Sequence, residues 1–137
     1  MSDRVAVSGF VGSRIVWCRV RGLKGYLFIV GVYIPHRHRT QAPFQDDVLT
    51  ELEVLLATTP GAGDCIIVLG DFNGRLARNG QGTGRWGVHP RDDEGGKRLR
   101  EVMDTTKLSA ANTYFLHIFN RGEVGKRVQL QEVQRLM

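Results

Sequence analysis

The sequence predicts an α+β domain, and three observations carry that expectation. Two β-branched and aromatic runs, RIVWCRV (14–20) and YLFIVGVYI (26–34), stand either side of RGLKG, whose two glycines suit a hairpin connection. Between Pro43 and Ala57, Phe44, Val48, Leu52 and Leu55 or Leu56 recur at spacings of three to four with acidic residues between them, the pattern of an amphipathic helix. CIIVLGDF (65–72) is a short, almost wholly apolar run bounded by turn residues, which reads as a fully buried strand. A chain of 137 residues with 42% hydrophobic content is of the size of one globular domain or part of a larger one.

The elements follow in order. After the hairpin, Pro35 ends the second strand. The helix closes at Thr59, Pro60, Gly61 and Gly63, and the apolar strand follows. From Asn73 to Gly96 the chain carries seven glycines and little apolar periodicity, which predicts a long loop with a functional role. Leu99, Val102 and Met103 restore helical spacing over 96–107, and SAANTYF (109–115) reads as another strand. The tail from Leu116 is basic and Gln-rich; its last dozen residues read as a helix and not as a packed strand.

Composition narrows the function classes. No apolar run approaches the roughly 18–20 residues that span a bilayer, and MSDRVAVSGF lacks a secretory pattern. The expectation is an intracellular protein of nucleus or cytoplasm with no membrane partner. Cys18 and Cys65, each inside an apolar stretch, read as buried free thiols. Nineteen Lys and Arg against 14 Asp and Glu give a net charge of +5, which favours an anionic partner but is also common in proteins that bind none.

Two strand ends carry the chemistry. In Gly70-Asp71-Phe72-Asn73, alternation sends Asp71 and Asn73 to one side and Phe72 toward the core. A carboxylate so held can orient a water, and an amide can donate to an anionic oxygen. The same residues also make ordinary turns. In Tyr33-Ile34-Pro35-His36, a phenol and an imidazole at a strand end are both able to contact phosphate; a core aromatic and a solvated histidine are the alternative. His36 and His38 form a His-x-His pair without the third ligand a catalytic zinc needs. The loop and following helix hold Arg75, Arg78, Arg85, Arg91, Lys97, Arg98 and Arg100 with Trp86 among them, a composition suited to a nucleic-acid backbone and a base stack, or simply to solubility. Asp92, Asp93 and Glu94 either partly cancel that positive field or, the preferred reading, cap the next helix.

Taken together, Tyr33-Ile34-Pro35-His36, the amphipathic helix and Ile66-Ile67-Val68-Leu69-Gly70-Asp71-Phe72-Asn73 resemble the endonuclease/exonuclease/phosphatase superfamily. The continuation Gly84-Arg85-Trp86-Gly87, Gly96-Lys97-Arg98-Leu99 and Leu108-x-x-x-Asn112-Thr113-Tyr114-Phe115 is similar to the endonuclease domains of LINE-type retrotransposons and their craniofacial-development-protein-like relatives. The resemblance covers about residues 8 to 115. It implies a four-layer α/β/β/α sandwich that hydrolyses phosphodiesters, with DNA (or RNA) as partner and Mg2+ or Mn2+ as cofactor. Residue by residue, it implies that Asp71 helps activate water and binds metal, and that Asn73 and Tyr33 contact the scissile phosphate. His36 stands where the family commonly has asparagine. Arg75, Arg78, Arg85 and Trp86 are the expected substrate-binding residues.

Two departures qualify the resemblance. The family's metal-binding glutamate precedes the Tyr-x-Pro segment, whereas residues 1 to 30 carry only Asp3 as an acidic side chain. The family's closing Ser-Asp-His has no counterpart, since after Asn112 there is no aspartate and only His117. The sequence therefore predicts a partial sandwich domain over 1–115, incomplete at both ends, with a divergent tail over 116–137. It would hold magnesium weakly, cleave weakly or not at all alone, and leave apolar sheet surface open to self-association. A non-catalytic nucleic-acid-binding remnant is the alternative.

Overall fold

The computed structural model describes residues 5–38, 40–86, 89–114 and 131–135. Strands β1 (Val5–Val11), β2 (Ile15–Arg21) and β3 (Tyr26–Tyr33) are followed by helix α1 (Ala42–Thr58) and strand β4 (Cys65–Asp71). Helix α2 (Glu94–Thr106), β5 (Leu108–Ala110), a 3-10 turn (Ala111–Thr113) and β6 (Gln131–Arg135) complete the order. The six strands form one mixed sheet in the order β1-β2-β3-β4-β6-β5. The β3–β4 pair is parallel and α1 is its crossover, the connection parallel neighbours require.

Both helices serve one sheet face. Phe28, Val30 and Val32 of β3 and Ile66 and Val68 of β4 are buried with Leu49, Leu52 and Leu56 of α1 and Leu99, Val102 and Met103 of α2. These side chains form one core. On the opposite face Phe10 is 80% exposed and Val16 61% exposed, and Ile29, Ile67 and Leu69 are half-buried. Among the described residues, then, one sheet carries helices on one side; the second sheet and outer helix layer implied by the resemblance do not appear.

The hairpin stands as expected, with Ile15↔Val32 and Arg21↔Tyr26 at the ends of its register. Five details differ. The strand β1 was not foreseen; its Gly9 lies under the Trp17 ring, where a Cβ would stand 2.8 Å from Cζ2. In β4, Ile66 and Val68 are buried while Cys65, Ile67 and Leu69 are half-buried, because the described helices cover only one face. The thiols of Cys18 and Cys65 are free but likewise half-buried. In α1, Phe44 is 61% exposed and Gln45 is fully buried instead, its Nε2 donating to the Pro35 carbonyl at 3.1 Å. The expected strand over 109–115 shortens to β5, because Thr113 Oγ1 donates to the Ala110 carbonyl and closes a 3-10 turn; Phe115 lies outside the described residues.

The largest correction concerns the tail. Residues 131–135 form β6, a strand between β4 and β5, and not part of a helix. Gln-rich sequence with one central valine gives little local strand signal; pairing with two neighbours supplies the backbone partners.

Candidate functional site

The parallel β3–β4 register brings the two sequence motifs to one place. Tyr33 pairs with Asp71, the last residue of each strand, so the phenol and the carboxylate emerge on the same side of the sheet. Both are exposed, Tyr33 by 47%. Gly70 permits this approach: a Cβ there would collide with the Val32 carbonyl. Phe72 is buried, as the alternation predicts.

Beyond the strands a side chain continues the ladder. Ile34 N–H donates to the Asp71 carbonyl at 2.8 Å, and Asn73 Nδ2 then donates to the Ile34 carbonyl at 2.8 Å. Asn73 adopts φ 43°, a left-handed conformation that asparagine tolerates, and its N–H donates to Asp71 Oδ1 at 3.1 Å. Gly-Asp-x-Asn therefore forms the turn that its residue types allow, with Asp71 left at the surface. One amide N–H of Asn73 is committed to the backbone, and the second N–H and the other Asp71 oxygen, Oδ2, have no partner among the described residues.

Pro35 is buried just after the strand, and His36 is exposed with its ring centroid 5.7 Å from that of His38. Arg37 turns back onto α1, where Asp46 Oδ1 accepts from its Nη1 at 2.6 Å and holds the guanidinium pKa above its usual value. Two cations at this strand end thus differ: Arg37 is neutralised, while another, Arg14, joins no ion pair among the described residues. Arg14 closes the β1–β2 turn, and its Cζ stands 5.2 Å from the Tyr33 ring centroid. Its carbonyl accepts from Tyr33 N–H at 3.0 Å. Beside them a groove of about 470 Å³ is lined by Phe10, Arg14, Val16, Gly31 and Tyr33. Sequence reasoning missed Arg14, although extending the hairpin register by one residue from Ile15↔Val32 places it opposite Tyr33.

The basic cluster divides. Lys97 pairs with Glu94 at 2.6 Å, Arg98 with Glu53 and Glu101 at 3.5 Å, and Arg100 with Asp92 at 2.7 Å. Hydrogen bonds from the Arg100 guanidinium, chiefly, hold the Asp92 carboxyl below its usual pKa, and the Ala77 N–H adds to this. Asp93 is the N-cap of α2, accepting from Gly96 N–H at 2.7 Å, as expected; Asp92, expected to cap as well, instead pairs with Arg100. Arg75, Arg78, Arg85 and Arg91 are exposed and join no ion pair among the described residues. The Arg85 guanidinium lies 4.8 Å over the Trp86 ring, so one face of the expected base-stacking residue is already covered. No hydrogen bond, ion pair or ring contact joins Arg75, Arg78, Arg85 or Trp86 side chains to Tyr33 or Asp71 among the described residues.

A magnesium or manganese ion needs several oxygen ligands in near-octahedral array. Among the described residues no three His, Cys, Asp or Glu side chains come together in a metal-holding group. Asp71, with one oxygen already accepting from Asn73, does not make such a site by itself.

No protein-family model matches the chain, and no curated protein sequence matches it. Among solved structures it is similar to the endonuclease domain of TRAS1, a telomere-specific non-LTR retrotransposon, with TM-score 0.47 and 18% identity, over 88% of this chain and 49% of that one. It is also similar to a β-hairpin deletion mutant of β toxin from Staphylococcus aureus, with TM-score 0.42 and 9% identity, over 70% of this chain and 30% of that one. The chain thus spans about half the length of the retrotransposon domain.

Proposed function

We propose that this chain is a phosphodiester-recognising domain of the nuclease type, of retroelement origin, with DNA as its substrate or ligand. The observation that carries the reading is the Tyr33–Asp71 register, which sets a phenol and a carboxylate side by side on adjacent strand ends with Asn73 clamped behind them. The motif resemblance supplies the reaction class. In this reading the Tyr33 O–H, the second Asn73 amide N–H and the His36 imidazole donate to phosphoryl oxygens, and Asp71 accepts from the attacking water. The exposed Arg75, Arg78 and Arg85 hold the flanking backbone.

The same geometry limits the chemistry. A phosphodiester and the Asp71 carboxylate about 6 Å apart repel by about 1–3 kcal/mol in a partly solvated site, and the described residues offer no cation cage to offset it. That observation favours a second reading, a nucleic-acid-binding remnant without turnover.

Nicking of supercoiled DNA with magnesium, beside equilibrium binding to duplex DNA, separates the two. Cleavage lost in Asp71→Ala supports the hydrolytic reading, and cleavage indifferent to Asp71→Ala refutes the role given to that carboxylate. Salt-dependent binding without cleavage, weakened when Arg75, Arg78 and Arg85 are replaced together by glutamine, supports the remnant. Absence of binding at low salt removes both.

A further inference from the structure

We infer that Arg14 is a substrate-binding residue of this strand-end site, supplying the positive charge that seats a phosphodiester beside Asp71; the inference rests on the reading of the site proposed above. Arg14, Tyr33 and Asp71 stand in one row across three neighbouring strands, at or just beyond their ends. With strands about 4.8 Å apart, the row places the guanidinium-bearing and carboxylate-bearing backbones about 10 Å from one another. In this assignment a phosphoryl group is seated between the two side chains, beside the phenol. The guanidinium lies over the Tyr33 ring at 5.2 Å, so the contact with the aromatic face restrains a long side chain in advance of binding.

Three further features support this assignment. Arg14 is exposed, and among the described residues it joins no ion pair, so its donors remain for a ligand. Among the described residues, the other arginine of this strand end, Arg37, is occupied by Asp46 and Gln45. A planar guanidinium offers two parallel donors to a phosphate, which a histidine or a phenol cannot do. Its backbone tie to Tyr33 uses the Arg14 carbonyl, so substitution of the side chain leaves that bond in place.

The test compares Arg14→Gln, Arg14→Lys and Arg21→Gln, the last an exposed arginine at the opposite end of β2. Affinity for a fluorescein-labelled DNA duplex is measured by anisotropy over a range of salt. Arg14→Gln is expected to bind about tenfold more weakly and to lower the slope of log K against log salt by about 0.9. Arg14→Lys keeps the slope and loses less affinity; Arg21→Gln matches the parent. In a second measurement, dimethyl phosphate is titrated into 15N-labelled protein, and the Arg14 Nε–Hε signal, identified by its loss in Arg14→Lys, is expected to shift. Parent protein that binds duplex while Arg14→Gln binds equally well overturns the inference and leaves the proposed function standing. Equal weakening by Arg14→Gln and Arg21→Gln also overturns it, since the arginine would then act only as diffuse charge. Parent protein that fails to bind duplex at low salt removes the proposed function, and the role of Arg14 with it.

Discussion

Asn73 offers a measurement of how the strand-end site is held. Its side chain donates to the carbonyl of Ile34, a residue with no exposed surface, and its backbone occupies φ 43°. Replacing it by alanine removes one hydrogen bond, worth about 1 kcal/mol, and forces a Cβ-bearing residue without a compensating polar side chain into the left-handed region, at about 1–2 kcal/mol. The expected loss for Asn73→Ala is therefore about 2–3 kcal/mol. Glycine loses the same hydrogen bond but adopts the conformation freely, at an unfolded-state entropy cost of about 0.4–1 kcal/mol. Asn73→Gly should lose about 1–2 kcal/mol, leaving it the more stable of the two variants by about 1 kcal/mol. Urea unfolding followed by tryptophan fluorescence reads both, since Trp17 packs on Phe28 with ring centroids 5.2 Å apart. Alanine equal to or more stable than glycine would show that the left-handed turn is not formed. Both variants within about 0.5 kcal/mol of the parent would show that the amide does not clamp Ile34, since an intact buried bond costs more than that to remove.

Three other outcomes are expected. A Cβ at Gly96 would collide with the Arg75 carbonyl, where the first turn of α2 meets the loop, so Gly96→Ala should cost about 2–3 kcal/mol in thermal unfolding. The carboxyls of Asp64 and Asp92 are held below the ordinary range, first by hydrogen bonds from Arg19 and Arg100 respectively; a depressed folded-state pKa gives stability that is present above the unfolded value of about 3.9 and is lost as pH falls through the folded one. The urea midpoint should thus drop on acidification below about pH 4, and Asp64→Asn together with Asp92→Asn should flatten that drop. Phe10 and Val16 stand on the sheet face that no described helix covers, at 80% and 61% exposure, so sedimentation should show self-association that Phe10→Ser with Val16→Thr reduces while stability changes by only about 0.5 kcal/mol.

What the sequence made legible, it made legible through local signals. Alternating β-branched residues marked β2 and β3, and spacing of three to four marked α1 and α2. Because β3 and β4 are parallel and each ends at its motif, Tyr33 and Asp71 needed only the correct register to meet. What it concealed depends on partners far along the chain. Gly9 looks like a strand breaker until Trp17 lies across it, and the strand character of Gln131–Arg135 comes from β4 and β5.

The cations show the same division at the level of charge. In sequence, Arg75 and Arg100 are equivalent members of one basic cluster. In the fold Arg100 donates to both Asp92 oxygens and to the carbonyls of Gln81 and Ala77, which makes it a brace for the long loop, whereas Arg75 remains exposed. An ion pair between Lys97 and Glu94 could be read from their spacing of three on a helix, but Arg100–Asp92 requires the loop to fold back on the helix. Counting basic residues therefore overstates the positive surface offered to an anion. Arg14 was hidden by the opposite error, an isolated arginine outside the cluster that the hairpin register brings to the strand end where a phenol and a carboxylate with no ion pair among the described residues already stand. The phosphate site proposed here depends on which charges keep no partner among the described residues, and that is a property of register more than of composition.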